Sequence, residues 1–171
     1  MADPASLRVL RIVAAWLAED PALPDSVPID LPEYSYDVAQ LIRPTLAVVA
    51  MSTAPGDFGR ETGRGVVDPL GVHIVAYVKA PTEDAAGEPI VPPAVTETRE
   101  RFLQLVLRRL AHHTPTDSLV KRLLADYLAV GSGASDFQQI AAPTRDQGDK
   151  PPLGEFWIPC RAWLHYREGE F

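Results

Sequence analysis

Apolar residues recur along the chain in two periods, and the switches between them outline its elements. Leu7, Leu10, Ala14 and Leu17 share one stripe at helical spacing, and Val9, Ile12, Val13 and Trp16 widen it past half the circumference. That pattern predicts a helix with neighbours on two sides. Asp3 can cap it with Pro4 at the first helical position, and Glu19, Asp20 and Pro21 end it. Thr45 to Ser52 reads TLAVVAMS, a continuous apolar run of strand length that predicts a strand buried on both faces. Val72 to Lys79 alternates instead, with Val72, Ile74, Ala76 and Val78 on one face and His73, Val75, Tyr77 and Lys79 on the other.

The helical period returns with Phe102, Val106 and Leu110 on one stripe and Leu103 and Leu107 beside it. Glu97 and Glu100 open this helix while Arg108, Arg109, His112 and His113 close it, the charge order that its dipole favours. Pro115 stops it. A second helix starts at Thr116 or Asp117, turns Leu119, Val120, Leu123, Leu124, Tyr127 and Leu128 inward, and closes at Gly131. Phe137 to Ile140 reads as a brief strand. From Glu155 to Arg167 the period is two: Phe156, Ile158, Cys160, Ala162, Leu164 and Tyr166 alternate with Trp157, Pro159, Arg161, Trp163, His165 and Arg167. Pro159 places the first half of that strand at an edge or a bulge. Strands and helices cluster instead of alternating, which predicts an α+β fold: a small antiparallel (mixed) β-sheet packed by an N-terminal helix and a central helix pair. One domain spans residues 1–171, without internal repeats.

Composition adds one anomaly. Proline makes up 17 of 171 residues, twice the usual share of about 5%. With glycine it concentrates in extended loops at 21–33, 55–71, 80–94 and 131–154. The first reads as a rigid connector on an extended or polyproline-like path without ladder bonds, after which an apolar patch from Val38 to Ile42 docks. The second, with five glycines among Asp57, Arg60, Glu61, Arg64 and Asp68, reads as a long, mobile hairpin loop. Such stiffened arms lose less entropy on folding than flexible loops and suit reaching a neighbouring subunit. The 46% apolar content excludes a disordered chain, and a single Cys excludes an internal disulfide framework or a multi-Cys zinc module. No apolar run approaches the roughly 20 residues of a membrane span, and no basic-then-apolar leader opens the chain, so an intracellular protein with no membrane partner is expected.

Tests for chemistry mostly return ordinary explanations. Gly131 to Phe137 has no lysine after its glycines and no strand before them, so it reads as a helix cap and turn instead of a phosphate loop. His112 and His113 are adjacent, face different sides of a helix, and do not form the i, i+4 pair of a helical metal site. Glu19-Asp20 and Glu83-Asp84 lie in loops with no apolar walls to shift a pKa. Cys160 alternates inward and reads as an inert core thiol. No catalytic, cofactor-binding or metal residue is assigned. His73 and His165, each on the more polar face of a strand, could be sheet neighbours, which leaves a small hydrolase as an alternative of another class. The last strand's outer face carries Trp157, Arg161, Trp163 and Arg167, residue types that serve as core under a second layer, as anchors of a protein interface, or as base-stacking groups. A net charge of −7 with only three lysines argues against the nucleic-acid reading.

The element order resembles that of the tail terminator proteins of long-tailed phages and the related head-to-tail completion (neck) proteins. The matching marks are the opening amphipathic helix from Leu7 to Leu17, a strand introduced by proline in Arg43-Pro44-Thr45-Leu46-Ala47-Val48-Val49, and a long charged hairpin loop. The strand from Gly71 to Val78, the paired helices from Glu97 to Leu128 and a final strand through Ala162-Trp163-Leu164-His165-Tyr166-Arg167 complete the pattern. The Pro-rich connector and the 80–93 loop depart from the shorter members. What the resemblance implies is a non-enzymatic virion protein, assembled in the host cytoplasm as a homo-oligomeric ring, expected to be a hexamer. Such a ring caps the tail tube, ends its elongation and joins it to the head connector. The tail tube protein, the head connector or adaptor protein and the sheath protein are its expected partners, and DNA only passes through the lumen. A head-completion or adaptor role on the portal side is the structural alternative. Arg60, Glu61 and Arg64 in the charged loop and Trp157, Arg161, Trp163 and Arg167 on the last strand are the expected interface residues. Six such chains carry about −42 in total, and an acidic lumen would keep passing DNA from sticking.

Overall fold

The computed structural model describes residues 4–23, 26–29, 45–51, 60–62, 65–91, 93–146 and 152–166. They form three helices and a mixed sheet, an α+β fold. In chain order the elements are α1 (Ala5–Ala18), β1 (Ser26–Ile29), β2 (Thr45–Met51), β3 (Arg60–Thr62), β4 (Gly65–Lys79), α2 (Val95–Leu110), α3 (Leu119–Val130), β5 (Gly133–Gln139), β6 (Thr144–Arg145) and β7 (Leu153–Tyr166). The sheet runs β1-β2-β4-β7-β5, with β3 added to β4 and β6 to β7. Every pairing is antiparallel except β1 with β2.

The long pair β4–β7 is the spine, in unbroken register from Val66 opposite Tyr166 to Lys79 opposite Leu153. Alternation puts Val72, Ile74, Ala76 and Val78 of β4 and Phe156, Ile158, Cys160, Ala162 and Leu164 of β7 on one face, all buried. The helices cover that face: Val9, Leu10, Val13, Trp16 and Leu17 of α1, Phe102, Leu103 and Val106 of α2, and Leu119 and Leu123 of α3 join the same core. Trp16 ties the three helices together. Its indole N–H donates to the Arg109 carbonyl at 3.1 Å, Arg109 Nε returns a bond to the Trp16 carbonyl at 2.8 Å, and the guanidinium groups of Arg109 and Arg122 lie over the ring.

Several expectations are corrected. The 55–71 loop is shorter than its glycines suggest, because β4 begins at Gly65, not Val72, and β3 pairs back onto it. Pro69 is tolerated inside β4 because it falls between the end of β2, whose last pair is Met51 with Gly71, and the end of β3, whose pairs with β4 reach only to Val67. Its missing N–H therefore forfeits no ladder bond. The 21–33 connector does make ladder bonds, since Ser26–Ile29 is a strand, and Pro28 fits because β1 is the edge of the sheet. The 131–154 loop contains β5 and β6, and the brief strand expected at Phe137 to Ile140 is seven residues starting at Gly133.

Pro159 does not put the first half of β7 at an edge: it pairs with His73 on one side and, on the other, sits between the last pair of β5 and the first of β6. Pro4 is the N-cap of α1, not its first helical residue, and Asp3 lies outside the described residues. α2 ends at Leu110, so His112 and His113 follow it instead of closing it. Ser118 caps α3 by accepting from the Lys121 N–H at 3.2 Å, and Gly131 ends it at φ 87°, the left-handed conformation glycine adopts without strain.

Candidate subunit interface

The face of the sheet opposite the helices has a different character. Its apolar cluster among the described residues is small: Ala47 and Val75 are buried with Tyr77 packed against them. Trp157, opposite Val75 in the ladder, is 43% exposed, and its indole N–H donates to Glu155 on the same face. Beyond Pro159 come Arg161 and Trp163, opposite Gly71 and Pro69. Glycine has no side chain to cover a neighbour, so the Arg161 guanidinium stays half-open to water and leans on Trp163, 5.7 Å from its ring centre. That contact is a cation–π pair at the long end of its range.

The flank of this surface is built by an irregularity in β5. The β5–β7 register shifts between Ala134 and Phe137, leaving Ser135 and Asp136 out of the ladder. The freed Asp136 carboxylate accepts the Trp163 N–H at 3.1 Å, and Ser135 Oγ lies 2.6 Å from His165 Nε2. Tyr127 of α3 lies against His165 with ring centres 5.2 Å apart and the rings tilted by 45°. The bulge thus re-aims two polar side chains to fix the end of β7 and join it to α3.

α3 itself corrects the expected packing. Only Leu119 and Leu123 turn into the core, while Val120, Leu124 and Leu128 are 39%, 38% and 70% exposed. The cause is position: α3 packs at the β5 edge of the sheet, where only one side of the helix meets the core. Tyr127, beside Leu124 and Leu128 on the helix, carries this exposed stripe toward His165 and the outer face.

Of the expected interface residues, the structure brings Trp157, Arg161 and Trp163 onto one face of β7. Arg64 and Arg167 lie outside the described residues, as do the Val38 to Ile42 patch and the side chains of Arg60 and Glu61, whose backbone forms β3. His73 and His165 do not meet. His73 stands opposite Pro159, six residues from His165 along β7, a separation of roughly 20 Å at the usual rise of about 3.4 Å per residue. His73 packs on Trp157 with ring centres 6.1 Å apart, its Nδ1 is buried with no partner among the described residues, and burial holds its pKa below the ordinary histidine value. Cys160 is a core thiol whose pKa burial pushes up to about 12, the opposite of an activated nucleophile. Among the described residues no group of His, Cys, Asp and Glu is arranged to hold a metal ion, and no helix is long and apolar enough to cross a membrane.

The exposed α3 stripe and the α3–His165 contact were not legible in the sequence, because helical periodicity shows that a helix has an apolar side but not how much of it is covered. Neither a protein-family model nor a curated protein matches this sequence.

Proposed function

We propose that this chain is a structural ring protein of the tail neck of a phage or phage-like particle, which caps the tail tube, ends its elongation and joins it to the head connector. The observation that carries this reading is the outer face of the sheet: Trp157, Arg161 and Trp163 stand on rigid strands with no helix of the described residues over them, while all three helices serve the other face. Trp and Arg are the residue types that dominate binding energy at protein interfaces. The order of elements, from the opening helix through the paired helices to the long final strand, also supports it. The virion location, the tube, connector and sheath partners and the DNA-conducting lumen belong to the same proposal.

Native mass spectrometry of the full chain tests it. A discrete ring of about six subunits is expected, and a larger ring would assign the portal-side adaptor role instead. Trp163→Ala with Arg161→Ala should dissociate the assembly while circular dichroism and melting stay those of the wild type. Ring formation that is unaffected by the double substitution overturns the assignment of this face, and a chain that remains monomeric at about 100 µM overturns the ring reading.

A further inference from the structure

The segment between β4 and α2 is an ordered hairpin. Glu83 bridges Pro89, the Asp84 N–H donates to the Glu88 carbonyl at 2.9 Å, and the Ile90 N–H donates to the Thr82 carbonyl at 2.8 Å. Asp84 Oδ1 accepts from the N–H groups of Ala86 and Glu88 at 2.8 and 2.9 Å, and Gly87 at φ 81° provides the left-handed turn. These bonds fix an acidic projection: Glu83, Asp84 and Glu88 are all exposed, and none forms an ion pair with a described residue. Val91 at its foot is 85% exposed. A turn with this much internal bonding, exposed from Pro81 to Pro89, presents its side chains outward.

A surface of matching chemistry lies further along the sheet, midway down the long strand pair. The hairpin springs from Lys79, opposite Leu153, whereas Arg161 and Trp163 stand opposite Gly71 and Pro69. Eight to ten residues of β4 separate the two, roughly 27–34 Å at about 3.4 Å per residue. The arm from Pro81 to Ala86 reaches about 17 Å by the same measure, so it falls short of the Arg161 surface of its own chain. The Arg161 guanidinium lies over Trp163, 5.7 Å from its ring centre, and forms no ion pair with a described residue.

We infer that the occupant of the Arg161–Trp163 surface is a second copy of this chain, docking through its acidic hairpin so that Glu83 and Glu88 meet the guanidinium. The inference rests on the ring reading and specifies its contact. Two unlike patches on separate parts of one chain make a head-to-tail interface, which closes into a ring when the rotation per subunit divides a full turn. Carboxylate–guanidinium bonds there are charge-assisted, and their partial exposure makes assembly sensitive to salt.

Charge reversal tests the contact. Full chains carrying Arg161→Glu, or Glu83→Lys with Glu88→Lys, are compared by analytical ultracentrifugation with a chain carrying all three. Asp84 is left alone because its carboxylate holds the turn. Each reversed surface should weaken association at least about tenfold, and the triple variant should recover to within about threefold of the wild type. Milder Arg161→Gln and Glu83→Gln chains should give intermediate losses, so a misfolded reversal would not decide the question. Association that is unmoved by either reversal, or a triple variant as weak as its parents, overturns the hairpin contact while the ring reading stands. A wild-type chain monomeric at about 100 µM overturns both.

Discussion

β4 and β7 offer two faces of equal length that meet opposite fates. Toward the helices, every side chain from Val72 to Val78 and from Phe156 to Leu164 is sealed. On the other face, among the described residues, Ala47 and Val75 are buried, with Trp157, Arg161, Trp163, His73, Tyr77 and the exposed Lys79 around them. The same alternation produced both, so alternation divides a strand into two sides without saying what covers either. Coverage is decided by the helices, and all three helices of the described residues lie on one side. The face they leave is where Trp and Arg stand on a rigid frame, which is why the interface proposal falls there.

Adjacent residues give the widest test of that contrast. Phe156 is fully buried and packs on Phe102 with ring centres 5.9 Å apart, whereas Trp157 points the other way and is 43% exposed. Phe156→Ala should lower stability by about 3–5 kcal/mol through a cavity that the helix layer cannot close. Trp157→Ala should cost below about 1 kcal/mol in the unassembled chain. Urea unfolding of the two variants reads both values, and comparable losses would mean that the outer face is a second core.

A smaller effect probes how closely the helix layer sits. Gly154 lies on the covered face where α2 begins, and a Cβ there would stand 2.9 Å from Val95 Cγ1 and 3.1 Å from Val78 Cγ2. The first contact is closer than a Cβ can stand and the second requires its neighbour to give, and both neighbours are β-branched and stiff. Gly154→Ala should therefore destabilise by about 1–3 kcal/mol, measured by the same unfolding, although alanine is otherwise the easier residue in a strand. A neutral or stabilising result would show that α2 can lift away from the sheet at this end.

The sequence made the covered face legible and the uncovered one only in part. Period two from Val72 to Lys79 and from Phe156 to Leu164 named the inward residues correctly, and the helical stripes of α1 and α2 named what packs on them. Pro and Gly misled. They shortened β4, hid β1 and moved Pro159 to an edge, because a missing N–H counts against a strand only where a neighbour needs it. Pro28 lies on an edge strand, while Pro69 and Pro159 fall at gaps between flanking strands. That is a property of the pairing, which no local pattern carries. The exposed side of α3 was hidden for a similar reason: Val120, Leu124 and Leu128 match a core helix in period, and only the place of α3 at the β5 edge leaves them in water. Trp157, Arg161 and Trp163 were found by alternation alone.

The faintest expected effect concerns His73, a partly buried titratable group on the outer face. Its Nδ1 is buried without a partner among the described residues, and burial disfavours the charged ring, so its pKa falls below the ordinary 6.5. The folded chain then binds fewer protons than the unfolded chain as pH drops through that range. The stability His73 contributes is present above about pH 6.5 and is lost as pH falls toward its lowered folded value. Glu19, Glu100 and Asp117, held below the usual carboxylate range first by hydrogen bonds from Arg122 or Arg145, titrate at lower pH and do not enter this window. His73→Phe keeps an aromatic ring against Trp157 and removes both the orphaned nitrogen and the proton. Unfolding in urea at about pH 7.5 and about pH 5.5 should show the wild type losing stability between the two and the variant losing less. Parallel losses in the two chains would mean that His73 is solvated in the folded protein.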